Sequence, residues 1–279
     1  MNYHNCLFAS EIAIITGHNK FQKISDLILK IWERNNNEDF KLFLNSLKEE
    51  EKPEFITHEE NIKNIIKNNN LNIDLNIIDK STKNKDINEI NNIKNELLKN
   101  SNNLPKEIKK SFTESINNHI NTNYGIENED CVSSLISEKY NLKIVKDNIF
   151  KKKLIFDDWV IGGKVDGITD NNEVIEIKNR MYKLFYKLRD YEKIQLQTYL
   201  FINDIKVGYL VESIKKNSKK NINIIKEDFN EIYYNDIIDK LKKFIYFYKN
   251  FLNDNLLKKK IILDVENFEN DIHKILFND

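Results

Sequence analysis

The sequence predicts an α/β fold, and three observations support this prediction. Apolar residues at helical spacing indicate helices near 127–140, 189–202 and 231–252. Segments rich in β-branched and aromatic residues indicate strands at 148–156, 159–168, 173–179, 207–213 and 222–226. The third observation is their order, because helices that alternate with strands in this way are typical of a core in which helices cover a sheet.

Two helices are predicted in the first 35 residues. Ser10 precedes the apolar segment 12–15, which Gly17 ends, so Ser10 has the position of a helix cap. A second amphipathic helix begins near Ser25 and carries the apolar residues Leu27, Ile28, Ile31 and Trp32.

Residues 36–123 are rich in Asn, Lys and Glu. They nevertheless retain apolar residues at helical spacing, namely Ile87, Ile90, Ile93, Leu97 and Leu98. We therefore predict a single domain over residues 1–279 with a helical insertion at 36–123.

The two best-marked helices have apolar stripes on one face. In the helix at 127–140 the stripe consists of Val132, Ile136 and Tyr140. In the helix at 231–252 it consists of Ile237, Leu241, Phe244, Tyr248 and Phe251.

The composition excludes several classes of protein. Six Gly and two Pro in 279 residues leave little material for a glycine-rich nucleotide-binding loop or a collagen-like repeat. Lys and Arg together number 44, as do Asp and Glu, so binding to nucleic acid requires a local concentration of basic residues. Two cysteines cannot form a four-thiolate zinc or iron–sulfur site.

The sequence also gives an expectation about location. No apolar run approaches the ~18 residues that a membrane span requires, and the N-terminus lacks the basic and apolar regions of a signal peptide. One pair of cysteines is a weak basis for a secreted disulfide scaffold. We therefore expect a soluble intracellular protein, in the cytoplasm, the nucleus or a viral replication site, without a membrane partner.

The segment at 173–179 carries the clearest chemical signal. Side chains alternate between the two faces of a strand, so Glu176 and Lys178 share one face while Ile175 and Ile177 share the other. A carboxylate and an ammonium group therefore emerge together from a strand whose opposite face is apolar.

Asp166 is predicted to lie opposite Glu176 on the preceding strand. If residues 170–172 form a three-residue hairpin loop, 169 pairs with 173 and, by the same register, 166 pairs with 176. Directly opposed side chains have Cβ atoms ~4.5–5.5 Å apart, so two carboxylates there repel unless a cation or a proton lies between them. Oxygen ligands without a nearby His or Cys favour Mg²⁺ or Mn²⁺ over zinc.

A second interpretation stays open for the strand alone, because charged residues are common on solvated strand faces in a chain with 32% charged residues. Two polar residues on apolar helix stripes argue for a site. Glu129 precedes Val132 and Ile136 on one helix, and Gln195 lies between Tyr191 and Tyr199 on another. Buried polar groups need partners, and one shared site provides them for Glu129, Asp166, Glu176, Lys178 and Gln195 together.

In this order the residues resemble the motifs of the PD-(D/E)xK nuclease superfamily, and within it the YqaJ-like viral recombinase, lambda-exonuclease-like branch. The matching motifs are Ala9-Ser10-Glu11-Ile12 with Gly17, Gly125 with Glu129, Val165-Asp166-Gly167, Glu176-Ile177-Lys178, and Gln195 with Tyr199. The resemblance covers about residues 8–34 and 124–252.

The resemblance implies a three-layer restriction-endonuclease-like core, with a mixed central sheet flanked by helices. It also implies a nuclease that digests double-stranded DNA from an end in the 5′-to-3′ direction, in DNA recombination, repair or replication. One or two Mg²⁺ or Mn²⁺ ions would be bound by Glu129, Asp166, Glu176 and the main-chain carbonyl of Ile177.

The resemblance further implies roles for two other side chains. Lys178 would orient or deprotonate the attacking water, or stabilise the charge that develops on the phosphorus centre. Gln195 would support the water or the scissile phosphate. The expected partners are double-stranded DNA ends and a single-strand annealing protein, and both a monomer and a ring-shaped trimer fit the family.

DNA contacts are predicted at Ser10, at Arg180 and at a group of four lysines, which are Lys215, Lys216, Lys219 and Lys220. Each has an alternative. Ser10 fits a helix cap, Arg180 fits a partner for a surface carboxylate, and the lysines fit a solvated strand edge.

Two other functions remain open at this point. One is a structure-specific or nicking endonuclease that uses the same site. The other is a DNA-binding recombination scaffold whose catalytic site has decayed. The insertion fits either a wall where DNA enters or a surface for a partner.

Overall fold

The chain alternates helices and strands in the computed structural model, which describes residues 5–51, 56–99, 101–140, 143–145, 149–216 and 219–277. The strands are β1 (Asn5–Phe8), β2 (Ile144–Val145), β3 (Lys151–Phe156), β4 (Trp159–Gly163), β5 (Gly167–Thr169), β6 (Val174–Arg180), β7 (Val207–Lys216) and β8 (Lys219–Asp228). The first seven helices are α1 (Ile12–Ile15), α2 (Ile24–Asn35), α3 (Asn37–Ser46), α4 (His58–Asn68), α5 (Ile87–Leu98), α6 (Lys106–Glu127) and α7 (Glu129–Tyr140). The others are α8 (Asp190–Asn203), α9 (Glu231–Leu252), α10 (Asn255–Leu263) and α11 (Val265–Phe277). None of the described helices is both long and apolar enough to cross a membrane.

The strands form two hydrogen-bonded sheets, each of mixed direction. In the smaller sheet β4 pairs in parallel with β1 and antiparallel with β3. The larger sheet has the order β2-β5-β6-β7-β8, in which only the β6–β7 pair is parallel. The predicted α/β fold is confirmed, with the strands of the expected mixed central sheet divided between two mixed sheets that helices flank.

The predicted strand at 159–168 is divided between the two sheets. β4 ends at Gly163 in the smaller sheet, and β5 begins at Gly167 in the larger one. Asp166 therefore lies in the three-residue crossing between the sheets, next to the buried Val165.

The main core lies among the sheets, the N-terminal helices and α8 and α9. The bounds of α9 coincide with the predicted segment, and all five residues of its predicted stripe are buried. Trp32 contacts Phe251 edge-on at a centroid distance of 5.1 Å, and Trp159 contacts Tyr248 in the same way at 5.5 Å. Aromatic pairs of this geometry stabilise a core beyond the area that they bury.

The N-terminus differs from the prediction in two ways. Residues 5–8 form a strand, which the sequence pattern did not indicate. Ser10 is exposed and does not cap α1, which begins after Glu11 without a side-chain cap. The carboxylate of Glu11 instead accepts the N–H of Phe8 at 2.8 Å and pairs with Arg34 at 2.7 Å.

The described residues of the segment 36–123 are mostly helical, and those of α4, α5 and α6 form an apolar cluster of their own. Fully buried residues of this cluster come from α4, α5 and α6, and they include Ile62, Ile90, Leu97, Phe112 and Ile116. α6 continues past residue 123 to Glu127, so its last turn brings the inserted segment to the sheet.

α7 covers one face of the larger sheet. Its buried Val132 and Ile136 pack against Ile175, Ile177 and Val211 in a third apolar cluster. This packing fixes which face of β6 points toward α7. Ile175 and Ile177 face α7, so the residues between them face the other side of the sheet.

Candidate active site

A cleft of about 310 Å³ lies where the last turn of α6, the start of α7, β6 and α8 meet. All five residues that the sequence analysis placed in one site line it, namely Glu129, Asp166, Glu176, Lys178 and Gln195. The remaining lining residues are Ile177, Asn179, Arg180 and Tyr199, with Asn121, Thr122, Gly125 and Ile126 from α6. Asn121 and Thr122 of the inserted segment therefore form part of one wall of the cleft. A wall was one of the two roles that the sequence left open for the insertion, and a contact of this wall with DNA stays a prediction.

The predicted alternation along β6 is confirmed. Ile175 and Ile177 belong to the apolar cluster under α7. Glu176 and Lys178 share the other face, where the Lys178 ammonium lies 2.7 Å from Oε1 of Glu176. Glu176 is 4% exposed, so this ion pair is shielded from solvent on its acidic side.

The predicted hairpin register is also confirmed. Gly167 pairs with Ile175 and Ile168 pairs with Val174, and the same register places 166 opposite 176. The main-chain N–H of Ile177 donates to Oδ2 of Asp166 at 2.6 Å. This bond holds the Asp166 carboxylate beside β6, next to Glu176.

The two carboxylates have strongly raised pKa values. Burial, opposed by the hydrogen bond from Ile177 and reinforced by the negative charge of Glu129, raises the pKa of Asp166 to about 6. Burial and repulsion by Asp166 raise the pKa of Glu176 to about 7. Both shifts express first the cost of burying a negative charge, and second the repulsion by a neighbouring carboxylate, which is Glu129 for Asp166 and Asp166 for Glu176.

Lys178 joins the strand to α8. Its ammonium donates to Oε1 of Gln195 at 3.0 Å, and Nε2 of Gln195 donates to the hydroxyl of Tyr199 at 3.2 Å. Burial opposes the positive charge, but attraction to Glu176 and the hydrogen bond to it outweigh burial and raise the pKa of Lys178. Lys178 is therefore protonated at neutral pH in this arrangement.

The donor atoms fit a hard divalent cation in part. Oε2 of Glu176 is buried and has no hydrogen-bond partner among the described residues, and Asp166 supplies a second carboxylate beside it. Within the same part of the chain, no three His, Cys, Asp or Glu residues are grouped closely enough to hold a metal ion. Glu129 lines the cleft and acts on Asp166 through its charge, so the role of Glu129 as a metal ligand stays a prediction.

Arg180 lies at the edge of the cleft and is held by two buried carboxylates. Its Nε donates to Glu212 at 3.0 Å and one of its terminal nitrogens donates to Glu192 at 2.8 Å. Both glutamates have side chains that are 0% exposed. The structure thus gives Arg180 carboxylate partners, which are buried and not at the surface as the alternative interpretation held. A DNA contact by Arg180 stays a prediction.

Sequence reasoning missed Glu212, although a signal was present. Glu212 interrupts the apolar run Tyr209-Leu210-Val211 of β7, and a charged residue within a buried strand needs partners. Four donors satisfy it, which are Arg180, Asn223 and the main-chain N–H groups of Phe185 and Tyr186.

The other predicted DNA contacts lie outside the cleft. Ser10 does not line it, and neither do the four lysines near the β7–β8 turn. Lys216 and Lys219 are exposed and paired in register, whereas the Lys215 ammonium donates to the main-chain oxygen of Asn84. The Lys220 ammonium is buried and has no hydrogen-bond partner among the residues described. Contacts to DNA at these residues stay predictions.

Comparison with known proteins gives structural similarity only. No known family model and no curated protein matches the sequence. The alkaline exonuclease LHK-Exo from Laribacter hongkongensis is similar in structure with a TM-score of 0.41 and 12% identity, over 62% of this chain and 83% of that one. Its complex with dAMP is similar with a TM-score of 0.33 and 11% identity, over 79% and 94% of the two chains. The protein SSO0001 has a TM-score of 0.33 and 16% identity, over 69% and 87%.

Proposed function

We propose that this chain is a divalent-metal-dependent deoxyribonuclease that hydrolyses phosphodiester bonds. One observation carries the proposal. The Lys178 ammonium lies 2.7 Å from Glu176 and 3.0 Å from Gln195, in the same cleft as Asp166 and Glu129. A pair of repelling carboxylates beside a protonated amine supplies both a cation site and a positive charge for a phosphate.

The donors proposed to hold Mg²⁺ or Mn²⁺ are the carboxylates of Asp166 and Glu176 and the main-chain carbonyl of Ile177, with Glu129 from the start of α7. The buried, unpartnered Oε2 of Glu176 supports this assignment. When bound, such a cation polarises a phosphoryl oxygen and lowers the pKa of a coordinated water.

The chain's own residues position the other groups. Lys178 keeps its proton because Glu176 raises its pKa, so it acts as a fixed positive charge that offsets the negative charge developing on the phosphate. Gln195 accepts a hydrogen bond from Lys178 and donates one to the hydroxyl of Tyr199. These two hydrogen bonds limit the directions in which the ammonium can point. Preorganised charge of this kind costs no reorganisation during the reaction.

We further propose that the enzyme acts on double-stranded DNA from an end, in the 5′-to-3′ direction, during DNA recombination, repair or replication. The order of the five sequence motifs supports this finer assignment. A single-strand annealing protein is the partner that such an activity serves, because it binds the strand that digestion leaves.

The test compares linear, nicked and covalently closed circular DNA with Mg²⁺ or with EDTA. We expect loss of the linear form only, and only with Mg²⁺. Nicking of closed circles identifies an endonuclease, and binding without cleavage of any form identifies a scaffold. Duplexes labelled at one 5′ or one 3′ end then give the direction of digestion.

A further inference from the structure

A repeated pair of side chains follows directly after β6. Tyr182-Lys183 and Tyr186-Lys187 each place an aromatic residue next to a basic one. Tyr182 is 66% exposed and Tyr186 is 69% exposed, and both lysines are exposed as well. Two tyrosines with this exposure on one short segment are uncommon, because large aromatic side chains are usually mostly buried.

The segment is rigidly attached despite its exposed side chains. The buried Glu212 carboxylate accepts the main-chain N–H of Phe185 at 3.1 Å and that of Tyr186 at 2.9 Å. The Phe185 ring lies under the guanidinium groups of Arg180 and Arg189, at 5.0 and 4.2 Å from its centroid. Tyr186 has a φ of 57°, a left-handed conformation that a non-glycine residue keeps only when its surroundings impose it.

The other side of the segment touches the insertion. Met181 packs against the apolar cluster of α4, α5 and α6, and Lys94 of α5 donates to the Tyr182 hydroxyl at 3.3 Å. The segment is therefore supported by the sheet through Glu212 and by the insertion through Lys94.

The segment lies close to the cleft because it directly follows Arg180 in the sequence. Arg180 lines the cleft and ends β6, and Tyr182 comes two residues later, so their Cα atoms are at most ~8 Å apart. A strand of DNA whose phosphate reached Lys178 would thus have neighbouring nucleotides within reach of Tyr182.

We propose that residues 181–187, which we call the tyrosine loop, bind unpaired nucleotides at the end of the DNA substrate. Bases stack on Tyr182 and Tyr186, while Lys183 and Lys187 contact the phosphates between them. This inference rests on the proposed nuclease function and adds to it a subsite that selects DNA ends with unpaired nucleotides.

The ligand is assigned from what an exposed ring can contact. Stacking on a side chain requires a free base face, and in the interior of a duplex both faces of every base pair are covered by neighbours. A segment whose backbone is already held by Glu212 also loses little backbone entropy on binding. The alternation of aromatic and basic residues matches the alternation of base and phosphate along a single strand.

The test is a binding measurement in EDTA, so it does not depend on cleavage. Fluorescence anisotropy compares a hairpin-closed duplex with the same duplex carrying an unpaired tail. We expect Tyr182→Leu with Tyr186→Leu to weaken binding of the tailed duplex by about 10-fold or more and to leave the closed duplex unaffected. Tyr182→Phe with Tyr186→Phe keeps the rings and retains the affinity.

One control variant separates this effect from general damage, and a lysine variant tests the phosphate contacts. Tyr246→Leu removes another exposed tyrosine, on α9, and leaves both affinities unchanged. Lys183→Gln with Lys187→Gln lowers the salt dependence of tailed-duplex binding by about 1 to 1.5 in the log–log slope. Equal loss on both ligands, or no loss on the tailed duplex, overturns the proposal.

A second measurement uses the unaltered protein and covers the case in which the leucine variant fails to fold. A tail containing 5-bromouracil is photo-crosslinked to the protein, and the linked peptide is identified by mass spectrometry. Crosslinks within residues 181–187 support the tyrosine loop as the subsite. Crosslinks found only outside residues 181–187 contradict the proposal.

Discussion

Asn179 donates from Nδ2 to the main-chain oxygen of Gly125 at 2.8 Å, while its Oδ1 accepts the hydroxyl of Ser213 at 2.6 Å. One side chain thereby ties β6 both to the last turn of α6 and to β7. Glu176 and Lys178 lie on this strand, so the proposed chemistry is held between the apolar cluster of the insertion and that of the sheet.

Removing the ammonium group of Lys178 is expected to lower the rate of DNA hydrolysis without changing DNA affinity. Lys178→Ala is expected to lower the rate of DNA hydrolysis by at least ~10²–10³-fold, because the fixed positive charge beside the phosphate is lost. DNA affinity measured in EDTA stays unchanged. Lys193→Ala, which removes a half-exposed lysine of α8 that pairs with Glu227, is the matched control and retains full activity. Unaltered hydrolysis by Lys178→Ala contradicts the proposed role.

The metal-free protein is expected to lose stability as the pH rises from about 5 to about 8. The folded-state pKa values of Asp166 and Glu176, about 6 and about 7, exceed the unfolded values of ~3.9 and ~4.3, so the folded state binds more protons. Their contribution to stability is complete below the unfolded values and is lost as the pH rises through the folded ones.

Urea unfolding in EDTA across this range measures the effect. Asp166→Asn removes one of the two charges and flattens the dependence, whereas Asp228→Asn, at a 71% exposed side chain, leaves it unchanged. At about pH 8, Mg²⁺ restores stability if it binds the folded state selectively. A free energy of unfolding that rises with pH in EDTA is the contrary result.

Two glycines of the cleft region differ in what they tolerate. A Cβ at Gly163 would lie 2.7 Å from the Tyr199 ring and 3.1 Å from Cβ of Ala9. Gly163→Ala is therefore expected to cost ~1–3 kcal/mol and to reduce kcat, because Tyr199 holds Gln195. At Gly125 the added Cβ meets no atom within 4 Å beyond its chain neighbours and its own helix backbone, so Gly125→Ala in α6 is expected to stabilise by ~0.5–1 kcal/mol. Thermal unfolding of both variants compares the two effects directly.

The four lysines at the ends of β7 and β8 are expected to contribute unequally to the salt dependence of DNA affinity. Replacing Lys215, Lys216, Lys219 and Lys220 by Gln together is expected to reduce the slope of log affinity against log salt by about 2, the contribution of two phosphate contacts. Only Lys216 and Lys219 are exposed, since Lys215 is bonded to Asn84 and the Lys220 ammonium is buried. An unchanged slope shows that DNA does not reach this turn.

Local rules explain what the sequence predicted correctly. A three-residue loop sets the register of its hairpin, so the pairs 167–175 and 168–174 followed from the assumed loop length, and with them the position of Asp166 beside β6. Alternation along β6 followed from strand geometry, and the bounds of α9 followed from its apolar period.

The rest depends on contacts between residues far apart in sequence. Glu212 meets Arg180 across neighbouring strands, and Asn179 meets Gly125 across 54 positions. Neither pairing has a periodic signal along the chain. The strand at 5–8 was missed for the same reason, because its partner is β4, some 150 residues later.

Because the predicted strand at 159–168 is divided between two sheets, the relative position of the sheets affects the distance between Asp166 and Glu176. Asp166 stands on the short crossing from Gly163 to Gly167, whereas Glu176 belongs wholly to the larger sheet. A shift of one sheet against the other would pull on Asp166, whose carboxylate is held beside Glu176 by the hydrogen bond from the N–H of Ile177. We therefore expect a packing defect at Trp159, at the other end of β4 from Gly163, to weaken binding of the proposed cation before it unfolds either sheet.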